Sequence, residues 1–301
     1  MNTVAKRRAN SARLPSGMLW ILPALVVSGG LIYYCIGYTG YISTQNWDGI
    51  SPDSVSVGLA NYVQLWHDPV FWLTILHTVA FFAVTFVVEV LLGLVFAVLL
   101  ASNVRFGVVY KVLIFLPVLL APATMAPVFR LIYASDGPFN AFLSAVGLGA
   151  LAQPWLAQSS TALFVVMSIS IWQYTGLAFI LYSAALTQID PQVIEASRVD
   201  GAGNARILFQ IIWPSVRGTT VALAVLAAIG ALKTFDIPYL VTGGGPVYST
   251  EFLGTLIYRV SVPQSQVGYG AALSIVLLVL AVCVALAFML IGSERKAPKH
   301  V

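Results

Sequence analysis

Six long apolar runs alternate with short polar segments along the chain. A helix needs about 20 predominantly apolar residues to cross a bilayer. Six segments reach that length and are predicted to be membrane-spanning helices: 18–42, 73–101, 109–133, 161–186, 218–240 and 267–291. The pattern predicts an all-α integral membrane protein with one transmembrane domain over 18–291, flanked by short tails at 1–17 and 292–301.

The composition indicates that lipid is the solvent for most of the chain. Of its 301 residues 59% are hydrophobic and 9% are charged, whereas a soluble globular domain carries about 25% charged residues. The net charge of +4 could suggest nucleic-acid binding, but the basic residues lie between and beside the apolar runs. We therefore interpret them as determinants of topology and expect no nucleic-acid partner.

Cys35 and Cys283 lie inside apolar runs, and no metal-binding pattern surrounds them.

The distribution of the basic residues predicts an orientation. If the N-terminal tail lies in the cytoplasm, the two tails and the inner loops hold twelve of the fifteen Lys and Arg residues, and only Arg130, Lys233 and Arg259 fall elsewhere. Cytoplasmic segments of membrane proteins carry such an excess. Both termini are therefore predicted to be cytoplasmic, and the first apolar run is interpreted as a retained span because it is too long for a signal peptide.

The inner loop 187–217 is the least lipid-like inner segment. Asp190 can cap a helix and Pro191 suits the first helical position, so a helix is predicted to start there and to end before Gly201. A second helix is predicted at roughly 204–213. A short amphipathic helix between two spans either lies on the membrane surface or inserts into a cleft of a soluble partner. The helix pattern alone favours the membrane surface.

The residue spacing in this loop changes that preference, because it resembles the EAA motif of ATP-binding-cassette importer permeases. The motif reads EAA, three residues, G, nine residues, I, one residue, L and P. Here Glu195-Ala196-Ser197 is followed by Gly201, Ile211 and Pro214, with Ser197 and Trp213 as departures. The resemblance implies that the ATPase-coupling residues are Glu195, Ala196, Arg198, Asp200, Gly201, Ala202 and Pro214.

The resemblance covers nearly the whole chain. Segments 57–71 and 235–250, the latter with a Gly-Gly-Gly-Pro stretch, are similar to carbohydrate permeases of the oligosaccharide branch, which also includes maltose-type and glycerol-phosphate-type proteins. It implies a type I importer permease fold in a bacterial plasma membrane. It also implies a second permease subunit in a heterodimer, two ATPase subunits and an extracellular solute-binding protein. An uncharged di- or oligosaccharide is the first solute predicted, and a glycerol-phosphate ester that Lys233 could meet is the second.

The chain shows no nucleotide-binding motif. A Walker A loop needs Gly directly before Lys-Ser or Lys-Thr, but Leu232 precedes Lys233-Thr234, and no Lys follows Gly243–Gly245. No HExxH motif or nucleophile triad is visible either. We therefore expect a transport subunit rather than an enzyme, with no cofactor of its own, and the resemblance implies that ATP and Mg are bound by the partner ATPase.

Polar residues inside the predicted spans are the candidates for contact with solute, because such residues usually face a cavity or a partner. The candidates are Ser170, Gln173, Tyr174 and the neighbouring Leu177 in the fourth span, and Lys233, Thr234 and Asp236 in the fifth. By the resemblance, they align with the sugar cavity of related permeases. A structural role is the alternative, in which Lys233 and Asp236 would pair and Tyr174 would only pack. Glu89 and His77 in the second span are predicted to be interhelical hydrogen-bond partners rather than transport residues.

Two other function classes remain as alternatives. An ion-coupled secondary transporter would be expected to show buried acidic pairs or inverted repeats, and only Glu89 is a deeply placed carboxylate. A non-transporting membrane scaffold would need neither polar residues in mid-span nor a docking helix.

Overall fold

The computed structural model describes residues 16–102 and 104–293. Most of the two predicted tails, including the basic residues of the N-terminal one, therefore lies outside the described residues. The described chain is mostly helical, and its only strand pairing is the short antiparallel contact of Gln45–Asn46 with Val55–Ser56.

Six helical segments are candidates for crossing the membrane. Four are single helices, Ser16–Ile42, Pro69–Ala101, Ser159–Leu186 and Val267–Ser293, which we call the first, second, fourth and sixth spans. Two are bent pairs: Gly107–Leu119 with Pro122–Ile132, bent by 100°, is the third span, and Asn204–Ser215 with Arg217–Leu232, bent by 64°, is the fifth. Shorter helices lie in the connections: Ala60–His67, Pro138–Ala145, Gly149–Leu151, Pro191–Val199, Asp236–Thr242 and Leu253–Ser261.

The third span is not the single helix predicted at 109–133. Its helix continues as a tighter turn to Leu119 and then breaks before Pro122. A residue that precedes proline is driven out of the helical conformation, and Ala121 accordingly has the extended angles φ −68° and ψ 137°. The proline therefore explains where the chain turns.

The fifth span also differs from the prediction of one helix at 218–240. It ends at Leu232, and Asp236–Thr242 forms a separate helix after a three-residue break. The helix predicted at 204–213 starts as expected but becomes a π-helix over Leu208–Ile212 before it reaches Ser215. Single π-turns of this kind occur often at functional sites.

The fourth span lies at the centre of the bundle. It approaches the second span so closely that a Cβ on Gly93 would lie 2.6 Å from the Cβ of Ala178. A Cβ on Gly176 would likewise meet the backbone of the third span, 3.0 Å from the Cα of Phe115. The hydroxyl of the fully buried Tyr182 lies 2.8 Å from that of Thr220 in the fifth span. Glycine at two positions thus allows the second and third spans to pack closely on the fourth, and the hydrogen bond of Tyr182 joins the fifth span to it.

The first span is left uncovered by the rest of the described chain. None of its most apolar window is buried, and Trp20 is 86% exposed. It contacts the sixth span and the strand at Gln45–Asn46, and Ile42 at its end is buried. Its apolar surface is therefore available to lipid or to another subunit.

The connections before the second span and after the fifth assemble at the end of the bundle opposite to the 187–217 loop. Asp68 caps the second span by accepting from the backbone N–H of Val70, and its other carboxylate oxygen accepts from the hydroxyl of Tyr269 at 2.7 Å. His77, expected to form an interhelical hydrogen bond, has Nδ1 2.9 Å from the carbonyl oxygen of Glu251. These buried contacts fix the connections to the spans.

Candidate functional site

A cavity of about 370 Å³ lies between the second, fourth and fifth spans. Its lining combines aromatic faces with polar groups. The aromatic residues are Phe81, Phe86, Tyr174 and Phe235, and the polar or charged ones besides Tyr174 are Thr85, Glu89, Ser170, Lys233, Thr234 and Asp236. Aliphatic residues of the fifth span, among them Leu223 and Leu226, complete it.

Six of the seven residues predicted to contact solute line this cavity: Ser170, Tyr174, Leu177, Lys233, Thr234 and Asp236. Successive side chains of a helix point about 100° apart. In one continuous helix, some of the side chains of Lys233, Thr234 and Asp236 would therefore point away from the cavity. The break after Leu232 removes that constraint, and Lys233, Thr234 and Asp236 all face the same space. The departure from the predicted helix is therefore what gathers the polar residues.

Gln173 is the exception, because it was predicted to contact solute but the structure places it outside the cavity lining. It is not among the cavity residues, and its side chain is 2% exposed. Its Nε2 donates to the carbonyl oxygen of Leu120 at 3.1 Å, within the break of the third span. Gln173 therefore faces the third span, whereas its neighbour Tyr174 faces the cavity.

Glu89 is a cavity residue that sequence reasoning had assigned to interhelical hydrogen bonding. It is half-buried, lines the cavity from the second span and takes no part in the only salt bridge of the described residues. The pairing of Lys233 with Asp236, considered as an alternative, is also not formed. The signal that could have found Glu89 is its position, since a carboxylate in mid-span usually faces a cavity.

The helix Pro191–Val199 begins and ends as its sequence predicts. Asp190 Oδ1 accepts from the backbone N–H of Gln192 at 2.9 Å, and Pro191 occupies the first helical position. Gly201 has φ +81°, a left-handed conformation that glycine adopts without strain. The N–H of Ala202 then donates back to the carbonyl oxygen of Ser197 at 2.9 Å. Both ends of the helix are thus capped.

This helix has one face against the bundle and one face exposed. Ile194 and Ala202 pack against the buried cluster of Tyr182, Ile207 and Ile212 at the base of the spans. The exposed residues are Pro191, Gln192, Val193, Glu195, Ala196, Arg198, Val199 and the following Asp200, and Val199 is 88% exposed. Glu195 and Arg198 form no salt bridge with each other or with any described residue. Pro214 is half-buried, just before the 64° bend of the fifth span. The loop therefore offers a mixed polar and apolar surface held firmly on the core.

A helical membrane bundle with a cavity that holds several polar and charged groups, and with an exposed, packed helix between two spans, is typical of a membrane transport subunit. Residues 16–295 match the family described as binding-protein-dependent transport system inner membrane component, and the chain belongs to this family. It is a multi-pass membrane protein and a permease subunit of an ATP-binding-cassette importer, in which separate subunits hydrolyse ATP.

Individual relatives agree over nearly their whole length. The probable ABC transporter permease protein YurN of Bacillus subtilis strain 168 is 32% identical over 271 residues, which cover 89% of this chain and 92% of that protein. The trehalose/maltose transport system permease protein MalF of Thermococcus litoralis is 29% identical over 296 residues, covering 98% and 99%.

A solved structure confirms the predicted type I importer permease fold. A chain of a bacterial ABC transporter involved in the import of the acidic polysaccharide alginate superposes with a TM-score of 0.76 at 21% identity. The match covers 93% of this chain and 98% of that one.

Proposed function

We propose that this chain imports an uncharged sugar, a di- or oligosaccharide, and forms half of its path across the membrane. The observation that carries the proposal is the lining of the cavity, where Tyr174 and Phe235 supply aromatic faces and Ser170 and Thr234 supply hydroxyl groups. Sugar rings present apolar faces and many hydroxyl groups, and such a lining suits both. The trehalose/maltose relative supports the same solute class.

A glycerol-phosphate ester is the second candidate, because Lys233 lines the cavity and could meet a phosphate. The charged lining as a whole favours a neutral solute. Lys233 and Asp236 put one positive and one negative group in the lining, and neither is in a salt bridge of the described chain. An anionic solute that Lys233 attracts would therefore also be repelled by Asp236.

The exposed face of the helix Pro191–Val199 is the docking surface for an ATPase subunit in this proposal, with Glu195 as its polar anchor. Because Ile194 packs on the buried cluster below the spans, a movement of the helix is transmitted to the bundle as a rigid-body shift. Two such ATPase subunits would bind ATP and Mg, and this chain would bind neither.

A second, different permease subunit completes the path. Support comes from the uncovered first span and from Leu226, a cavity residue that is 52% exposed.

The family description itself names a binding protein, and we place an extracellular solute-binding protein against the end that carries Asp48 and Glu251. Both termini then lie in the cytoplasm of a bacterial cell, as the basic residues predict.

Reconstitution tests the proposal. The chain is assembled with its ATPase, second permease and binding protein in proteoliposomes, and ATP hydrolysis is measured with maltose, trehalose, lactose or glycerol 3-phosphate. We expect stimulation by at least one sugar and its reduction in Tyr174→Phe, which removes only a cavity hydroxyl. Asp136→Asn, at an exposed site between the third and fourth spans, serves as the matched control. Stimulation by glycerol 3-phosphate and by no sugar would contradict the proposal.

A further inference from the structure

The break in the third span is held from the side by the fourth span. Leu119 ends one helical segment, Pro122 starts the next, and the axis turns by 100° between them. Pro122 itself lines the cavity. The angle of this break therefore decides where one side of the cavity lies.

One side chain of the fourth span reaches the backbone within the break. Gln173 Nε2 donates to the carbonyl oxygen of Leu120 at 3.1 Å, across 53 positions of sequence. The Leu120 carbonyl lies outside both helical segments, and this bond supplies it with a donor in place of a helical one. Leu120 is 38% exposed but Gln173 is only 2% exposed, so the donor side of the bond is shielded from competing water.

The oxygen atom of the same amide group accepts no hydrogen bond from the described residues. Gln173 Oε1 is buried and has no hydrogen-bond partner among the described residues. Buried side-chain polar atoms nearly always have a partner, and an exception calls for a reason. An amide that only stabilises the core would have hydrogen-bond partners for both its oxygen and its nitrogen. In Gln173 the only hydrogen bond of the amide goes from Nε2 to the backbone at the break of the third span.

The glycine on the next turn makes this contact possible. Gly176 lies three positions after Gln173, and a Cβ there would lie 3.0 Å from both Phe115 Cα and Val118 Cγ2. The absence of a side chain brings the two spans close enough for the amide to reach Leu120. Two neighbouring residues of one helix face thus hold the third span on both sides of the tight turn.

We propose that Gln173 is a positioning residue, which fixes the angle of the third span and so places Pro122 in the cavity lining without touching the solute. The cavity's role as solute path rests on the proposed function, but the hold of Gln173 on the break does not. The loss of one such hydrogen bond changes a local opening equilibrium about two- to tenfold. The hydrogen bond from Gln173 to Leu120 therefore favours one angle of the break in the third span, but it can open and close again at equilibrium.

Hydrogen exchange of the assembled transporter, measured by mass spectrometry without solute, tests the hold on the break directly. Gln173→Met removes both polar atoms at nearly constant volume, and Gln173→Asn keeps the amide but withdraws it from Leu120. We expect both variants to exchange the backbone amides of 116–124 about two- to tenfold faster than the wild type. Ser170→Ala is the matched control, because its hydroxyl bonds within its own helix to Val166 at 3.1 Å. Its exchange at 116–124 should be unchanged.

Uptake kinetics separate positioning from solute contact. With the sugar found by reconstitution and analogues that each lack one hydroxyl, Gln173→Met should change KM by the same factor for every analogue. Tyr174→Phe should change KM only for those analogues that lack the hydroxyl group contacted by Tyr174. Unchanged exchange at 116–124 in the folded variants would overturn the proposal, and so would an analogue-dependent KM effect of Gln173→Met. If exchange responds but no sugar is transported, the sugar proposal fails while the hold on the break stands.

Discussion

The guanidinium of Arg259 lies 3.3 Å from the carboxylate of Glu251, and this is the only salt bridge of the described residues. The side chain of Glu251 is 1% exposed and that of Arg259 is 25% exposed. Burial raises the pKa of Glu251, and the neighbouring Arg259 partly opposes that rise. Arg259 also stacks over the ring of Tyr248, 4.1 Å from its centroid. The pair thus fastens the glycine-rich connection after the fifth span to the helix Leu253–Ser261.

Replacing Arg259 with Met should destabilise the protein. Breaking a buried ion pair by removing one partner costs about 3–5 kcal/mol, and a value at the low end is expected because Arg259 is partly exposed. Thermal unfolding of the detergent-purified protein, followed by tryptophan fluorescence, measures the effect. The double variant Glu251→Gln with Arg259→Met should recover part of the loss, because it leaves no buried charge unpaired.

The destabilisation by Arg259→Met should depend on pH. Without the cation, the folded-state pKa of Glu251 lies further above its unfolded value. Between those two pKa values the folded protein binds more protons than the unfolded one, so stability falls as pH rises through that window. The variant should therefore lose more stability at about pH 8 than at about pH 5. Arg130→Met, at an exposed site without a salt bridge, is the control, and an equal loss at both pH values would refute the assignment.

Gly93→Ala should separate the second and fourth spans. The added Cβ would lie 2.6 Å from the Cβ of Ala178 and 2.9 Å from its backbone carbon, so a span has to move. Overpacking of this kind costs about 1–3 kcal/mol. Gly37→Ala is the matched control in the first span, where nothing lies within 4 Å of the new methyl group. The same unfolding assay should show a lower midpoint for Gly93→Ala alone, and equal midpoints would argue against close packing at this point.

Local features of the fold could be predicted from the sequence because their causes are local. The Asp190-Pro191 pair predicts the start of the helix Pro191–Val199, and the Asp190 cap is present. Asp68-Pro69 is the same kind of signal and marks the true start of the second span, four residues before the position that the apolar pattern predicts. Pro122 is likewise a local signal for the break in the third span, since proline restricts the residue before it.

Of the candidate site, the sequence predicts which polar residues lie inside a span, but it does not predict which neighbouring span each of them faces. Polarity in mid-span indicated both Tyr174 and Gln173, but it could not show that Tyr174 alone of the two lines the cavity, because that difference depends on which neighbouring helix each residue faces. The partner of Gln173 is 53 positions away and becomes a partner only through the packing of Gly176. Such a contact is a property of the assembled spans and leaves no pattern in the local sequence.

Charge reversal at the proposed docking helix Pro191–Val199 should weaken the binding of the ATPase. Glu195 is exposed on the capped helix Pro191–Val199 and has no salt bridge within the described chain. Placing a like charge against a docking surface costs several kcal/mol, so Glu195→Lys should weaken ATPase binding about tenfold or more. Co-purification and surface plasmon resonance measure it. Asp136→Lys, an equal charge change at an exposed site on the other side of the bundle, should bind normally, and normal binding by Glu195→Lys would remove the basis of the coupling assignment.

Asp236→Asn should relax discrimination against anionic solutes. At about 6 Å and an effective dielectric constant of about 20, two like charges repel by about 3 kcal/mol. Water and Lys233 reduce that value, so a change of about tenfold is expected. Proteoliposome uptake of a neutral oligosaccharide is compared with uptake of the same sugar oxidised to its uronate, at saturating binding-protein concentration. The ratio of the two KM values should fall in Asp236→Asn, while Thr85→Val, a neutral change in the same lining, should leave it unaltered. An unchanged ratio would mean that the Asp236 carboxylate does not act on the solute, and the preference for a neutral sugar would then have to arise from another subunit.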